Sequence, residues 1–137
     1  MICLDTNVVI AALKDDSSLA LQRVAQGVRE GWPLAVSAIV LFELYFGAAK
    51  SAFPERNARR IAEFASSTIH VLGFEAEDAA EAGDIRNHLK RAGTPIGPYD
   101  VLIAAQARRH RALLVTANVR EFARVPALRI EDWTKSN

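Results

Sequence analysis

The chain has 137 residues, half of them apolar, and its 17 basic and 16 acidic side chains nearly cancel. That length suits one domain, residues 1–137, able to bury ~65–70% of its unfolded surface without a disulfide or structural metal. The apolar fraction excludes a disordered chain, and the neutral balance excludes binding nucleic acid by bulk charge, though not through a local basic surface.

Cys3, the lone cysteine, forms no internal bridge, and MICLDTN reaches an aspartate before a signal core can form. The apolar run over 34–49 is shorter than a membrane span and holds Glu43. A cytoplasmic chain without a membrane partner is expected.

Residues 1–4 form an apolar run, predicted to be a buried strand ending at Asp5. Asp5, Thr6 and Asn7 are helix-start residues ahead of a short helix over 8–13. After a turn over 15–18, Leu19, Leu21, Val24, Ala25 and Val28 keep helical spacing up to Gly31. A second strand over 33–36 leads to Ser37, which caps a very apolar helix running to 50. Pro54 opens a helix to about 67, with Ile61, Phe64 and Ala65 inward. A third strand over 69–72 precedes a long helix over 75–91, begun by Glu75, Glu77 and Asp78 and ended by Gly93. Residues 94–98 read as a stiff loop, 99–110 as another apolar helix, 112–116 as a fourth strand, 119–122 as a short helix and 128–130 as a last strand. Continuously apolar strands alternating with helices predict an α/β sandwich around a parallel sheet. Ligands in such sheets gather at the carboxyl ends of the strands, where Asp5 and residues 116–118 fall.

Three carboxylates have apolar neighbours that a core does not explain. Asp5 closes a buried strand, Glu43 interrupts AIVLFELYFGAA, and Asp100 stands in the first turn of PYDVLIAAQA. Charged groups in such places are costly unless paired or bound to a metal. Each has a plainer reading: Asp5 as a helix cap, Asp100 as a favourable charge at a helix N-terminus, Glu43 in a buried ion pair with an arginine. Converging, the three would repel one another unless a cation neutralised them, and all-oxygen ligands suit a hard ion such as Mg²⁺ or Mn²⁺. Zinc fits poorly, because Cys3 is alone and His70, His88 and His110 lack ligand spacing. Phosphate-binding glycine loops and nucleophile elbows are absent from the sequence. A metal held by acids can acidify a water and stabilise charge on a phosphodiester.

The blocks LDTNVVI, FELYFG, PYDVLIAAQA and LVTANVREF, in this order and spacing, resemble those of PIN-domain proteins. Through the VPALRIEDW tail, nearly the whole chain is similar to the ribonuclease toxins of the VapC type from prokaryotic toxin–antitoxin pairs. The resemblance implies a three-layer α/β/α sandwich with a central parallel sheet of four to five strands and an acidic pocket for Mg²⁺ or Mn²⁺. It implies an endoribonuclease that hydrolyses RNA through a metal-bound water. Carried over by position, Asp5, Glu43 and Asp100 match the family's core acids, with Asp5 and Asp100 as direct metal ligands. Glu43 would bind a second ion or orient the attacking water. Many relatives carry aspartate where this chain has Asn118, a neutral ligand. Glu121 is the nearest acid to compensate, or else a solvated charge on a short helix. Thr6 and Thr116 are candidates to hydrogen-bond an acid or water, Thr6 alternatively as a cap.

Charge is unevenly placed: residues 1–100 carry 10 basic and 13 acidic groups, residues 101–137 carry 7 and 3. Arg108, Arg109, Arg111 and Arg120, with Arg124 and Arg129, are candidates to hold RNA phosphates, or a solvated helix end. The partners implied are a small VapB-like antitoxin, an RNA substrate, a second copy in a homodimer, and a larger complex with antitoxin on operator DNA. Tyr45, Phe46, Phe53, Ile61 and Phe64 supply apolar surface near the helices where the family docks its antitoxin; taken singly, Phe46 and Phe64 read as core. Two rivals stand beside the enzyme. One is a weakly active module that mainly binds antitoxin and DNA, with Asn118 marking a weakened site. The other is an acid-based phosphatase, which would want an aspartate where Asn7 stands.

Overall fold

Short, fully apolar strands such as ICL and LLV bury both faces only inside a parallel sheet covered by helices. The computed structural model describes residues 1–14 and 16–136, so Asp15 of the expected turn lies outside the described residues. Its strands are β1 (Ile2–Leu4), β2 (Leu34–Ser37), β3 (His70–Leu72), β4 (Leu113–Val115) and β5 (Arg129–Glu131), in spatial order β3-β2-β1-β4-β5. All neighbours are parallel, with Cys3 level with Ala35 on one side and Leu114 on the other. The helices are α1 (Thr6–Lys14), α2 (Leu19–Glu30), α3 (Ala38–Ala49), α4 (Pro54–Ala65), α5 (Ala76–Ala92), α6 (Pro98–Arg109) and α7 (Val119–Phe122). Helix α1 packs on α2 and α3, α3 on α4 and α6, and α5 on α6. This is the expected α/β architecture, with five strands.

The helix ends follow local chemistry. Ser18 and Ser37 accept the backbone N–H of Leu21 and Ile39, and Gly31 and Gly93 end α2 and α5 at φ of 72° and 71°. Helix α1 begins two residues earlier than the sequence suggests, because the Asp5 carbonyl already accepts from Val8 and Val9. Helix α4 stops at Ala65, where the Ser66 and Ser67 hydroxyls donate to the carbonyls of Glu63 and Phe64. Pro98, expected in the loop, is instead the first residue of α6, where its missing N–H costs nothing.

Leu4, Val8, Val9, Val36, Ile85, Leu89, Leu114 and Phe122 are among the fully buried side chains. A Cβ on Gly27 would lie 2.8 Å from the Trp32 ring, so only glycine lets that indole lie against α2. Trp32 in turn packs on the buried Trp133 at 5.8 Å between centroids, tying the C-terminal segment to the start of β2.

Candidate active site

Because β1 is central and β4 adjoins it, the chain leaving β1 at Asp5 meets the chain leaving β4 at Thr116. Asp5 is 3% exposed. Its Oδ1 accepts the Thr6 N–H at 2.8 Å and its Oδ2 accepts the Thr116 hydroxyl at 2.7 Å. Thr116 is itself wholly buried, and its oxygen also accepts the Asn118 N–H at 2.9 Å. Burial raises the Asp5 pKa and the nearby Glu43 charge adds to this, while the two hydrogen bonds oppose them. Asp5 therefore accepts both the first N–H of α1 and a hydroxyl from beyond β4.

Helix α3 follows β2 and carries Glu43 to the same end of the sheet. The Thr6 hydroxyl donates to Glu43 Oε1 at 2.7 Å, so one threonine bridges two acids, its N–H on Asp5 and its hydroxyl on Glu43. The expected ion pair between Glu43 and an arginine is not what the structure shows. Among the described residues, the ion pairs leave out Asp5, Glu43, Asp100 and Glu121.

Asp100 projects from the first turn of α6, half-buried. A Cβ on Gly97 would stand 3.1 Å from its Oδ2, so the glycine leaves room for the carboxylate beside the loop. Its pKa is raised to about 6, first by burial and then by the charges of Asp5, Glu43 and Glu121. The charges that act on Asp100 come from the end of β1, from α3 and from α7. Glu121, partly buried on α7, is one of the charges that act on Asp100. Its Oε2 accepts the side-chain N–H of Asn118 at 3.0 Å, so this amide orients the Glu121 carboxylate.

Asn7 escaped the sequence reading, which took it only as a helix-start residue. Its Oδ1 accepts the Ala117 N–H at 3.1 Å and binds the β1–α1 junction to the loop after β4. An Asx residue two positions past a strand end was the available signal, but it is uninformative until β4 is known to lie next to β1.

The arginines expected to hold phosphates divide. Arg108 pairs with Glu81 at 2.5 Å and Asp84 at 2.8 Å, and Arg109 pairs with the buried Asp78, all on α5. These two side chains fasten α6 to α5, because a buried carboxylate demands a cation. Arg111 and Arg120 are exposed, and the Arg111 carbonyl accepts from Arg129. Phe46 differs from its reading as core: it is 59% exposed, with the Lys50 ammonium 4.8 Å from its ring centroid, whereas Phe64 is partly buried against the core. Phe42 and Tyr99, each one residue before an acid of the site, meet with their rings tilted by 55° at 5.4 Å between centroids, and both are exposed.

Among the described residues no three His, Cys, Asp or Glu side chains close into a metal cage. The chemistry of the donor set nevertheless fits a hard cation: Asp5, Glu43, Asp100 and Glu121 offer carboxylate oxygens that, among the described residues, form no ion pair.

Residues 2–128 match the family model of the PIN domain. The chain is 42% identical over 131 residues to the tRNA(fMet)-specific endonuclease VapC of Shigella flexneri, covering 96% of each chain. It superimposes with a TM-score of 0.87 and 40% identity on a chain of the DNA-bound VapBC structure from Salmonella typhimurium, covering 96% of this chain and 97% of that one. For VapBC2 of Rickettsia felis bound to a promoter DNA fragment the TM-score is 0.89 at 34% identity, covering 97% and 99%.

Proposed function

The chain belongs to the PIN-domain family, on the side of the VapC ribonucleases, and from this we propose that it cleaves RNA phosphodiester bonds at the site of Asp5, Glu43, Asp100 and Glu121 as the toxin of a toxin–antitoxin pair. The observation that carries the site is the bridge Thr6 makes between two acids, its N–H on Asp5 Oδ1 at 2.8 Å and its hydroxyl on Glu43 Oε1 at 2.7 Å, beside an Asp100 whose pKa burial and the neighbouring acids raise.

Asp5 and Asp100 would hold Mg²⁺ or Mn²⁺, with Glu43 and Glu121 adding negative charge beside it. When bound, such an ion acts as a Lewis acid toward phosphoryl oxygen and makes a water more acidic. The chain's own residues set up the rest. Thr6 and Thr116 hold the Asp5 carboxylate in one orientation, and their hydrogen bonds oppose the rise that burial gives its pKa. Thr6 engages Glu43 Oε1, which leaves Oε2 to accept a proton from the attacking water.

The partner is a VapB-like antitoxin, as in the similar complexes. Homodimerisation, assembly on operator DNA and a cytoplasmic setting complete the reading, and tRNA(fMet), the substrate named for the Shigella relative, is the first RNA to try. The alternative of a weakened binding module drew its motive from Asn118; Glu121, oriented by that amide, supplies the charge thought missing.

Full-length protein purified without antitoxin is expected to cleave tRNA in Mg²⁺, to stop in EDTA, and to lose activity in Asp5→Asn. Cleavage that persists in EDTA and survives Asp5→Asn would overturn the mechanism.

A further inference from the structure

With Arg108 and Arg109 committed to the carboxylates of α5, the cations available to an RNA backbone must lie elsewhere. A groove of about 690 Å³ runs between the C-terminal half of α5 and the loop leading into α6. Arg86, Asn87 and Lys90, all exposed, line one side, and Pro95, Ile96 and Pro98 the other. Gly83 continues the α5 side one turn back, and with Arg86, Asn87 and Lys90 it follows the i, i+3, i+4, i+7 spacing of a single helix face. Its missing side chain leaves that end open, since a Cβ there would meet nothing within 4 Å.

Three features suit this groove to an anion beside an apolar wall. Its lining residues include no carboxylate, while Arg86 and Lys90 stand four apart, a like-charge pair that is mildly unfavourable in an empty helix and favourable once an anion sits between them. The helix dipole accounts for Lys90 in the last turn of α5 but not for Arg86 a turn earlier, beyond the dipole's reach. The wall is stiff: two prolines shape it, and Arg124 Nη1 holds the Pro95 carbonyl at 3.0 Å. The groove also adjoins the acids. Pro98 and Val101 line it from the first turn of α6, the same turn that carries Asp100, so the two features lie on different sides of one helix about 10–12 Å across.

We propose that this groove is a nucleotide-binding subsite for the RNA strand entering the acidic pocket, with Arg86 and Lys90 on a backbone phosphate and the Pro95–Ile96–Pro98 wall against the adjoining base. The inference rests on the ribonuclease reading and adds to it where the strand lies. The subsite offsets the repulsion between the acid cluster and the phosphates, and its flat apolar wall favours an unpaired base over a duplex.

The test compares full-length wild type with Arg86→Gln/Lys90→Gln and with a distant control of equal charge loss, Arg29→Gln/Arg59→Gln. Binding of a fluorescein-labelled single-stranded RNA is followed by anisotropy in EDTA across a salt series, and tRNA cleavage is measured in Mg²⁺. The groove variant is expected to bind about tenfold more weakly, with its salt dependence, d log K/d log[salt], smaller by about 0.7 for the one phosphate the pair holds. KM should rise in proportion while kcat holds, Arg86→Lys/Lys90→Arg should restore binding, and the control should match wild type. Unchanged affinity and salt slope in the groove variant, while wild type cleaves RNA, overturn the subsite alone. So does an equal loss in the control, or a change of oligomeric state by light scattering, which would make the groove a contact between copies. Wild type that fails to cleave RNA at all overturns the ribonuclease reading and the subsite with it.

Discussion

The hydroxyl of Thr116 donates to Asp5 Oδ2 at 2.7 Å across 111 positions of the chain, and both side chains are buried. This bond joins the carboxyl ends of β1 and β4 and continues on either side. Thr6 carries it from Asp5 to Glu43, and Asn118 carries it from Thr116 to Glu121. Three of the site's acids are thus oriented by neutral hydroxyl and amide groups, which fix direction without cancelling the negative charge a cation would need.

Thr116→Val keeps the shape of the side chain and deletes both roles of its oxygen. Asp5 loses a donor, and the Asn118 N–H loses its acceptor. Urea unfolding should show a loss of about 1.5–3 kcal/mol, the range for a bond to a charged group. RNA cleavage should fall about 10–100-fold, as for other residues that orient a metal ligand. Thr116→Ser should recover most of both; if valine is tolerated, the bond does not position Asp5.

In metal-free protein Asp100 keeps its proton at pH values where the unfolded chain has released it, because its pKa is about 6. Its contribution to stability therefore falls as pH rises from about 4 to about 6. Asp100→Asn removes that effect. Solvent screening of a half-buried group reduces an upper bound of ~3 kcal/mol to about 1 kcal/mol. Melts in EDTA at neutral pH should find the variant more stable by about that amount and inactive on RNA. A lower Tm than wild type would count against a shared acidic site.

Glu121→Gln takes away one of the charges that raise Asp100. Carboxyl-carbon NMR in EDTA should find Asp100 titrating closer to its ordinary value. Cleavage should then need about 10-fold more Mg²⁺ for half-maximal rate, in line with other changes beside metal ligands. An unmoved Asp100 titration would return Glu121 to the surface.

Arg109→Ala leaves the wholly buried Asp78 without its guanidinium. Breaking a buried pair from one side costs about 3–5 kcal/mol. Burial alone would raise the Asp78 pKa, but the Arg109 hydrogen bond, the Glu75 N–H and the charges of Arg109 and His110 bring it below the usual value of 3.8. The stability it contributes is present above that value and is lost as pH falls through the lower folded pKa, opposite in sign to Asp100. Acid titration of the variant should accordingly show a smaller loss of stability below pH 3.8 than wild type. A full-sized loss would place the acid sensitivity on another carboxylate.

The elements were legible in the residues because the signals are local. Ser37 and Gly93 mark helix ends, and an apolar run such as ICL has only a buried strand available to it. The acids Asp5, Glu43 and Asp100 stood out for the same reason, each a charge among apolar neighbours that nearby chain could not neutralise.

Tertiary structure decided what those residues meet. A three-residue strand carries no mark of its neighbours, so only the sheet order β3-β2-β1-β4-β5 brings Thr116 to Asp5 and Ala117 to Asn7. The same holds for Glu121, which accepts from the Asn118 amide and whose charge reaches Asp100, and for Arg108 and Arg109. The composition of the basic C-terminal stretch suggested a phosphate surface, yet packing α6 on α5 placed those two arginines against Glu81, Asp84 and Asp78. Sequence alone established which groups are too costly to leave uncompensated. Their partners depend on distances through space, fixed once helices and strands pack.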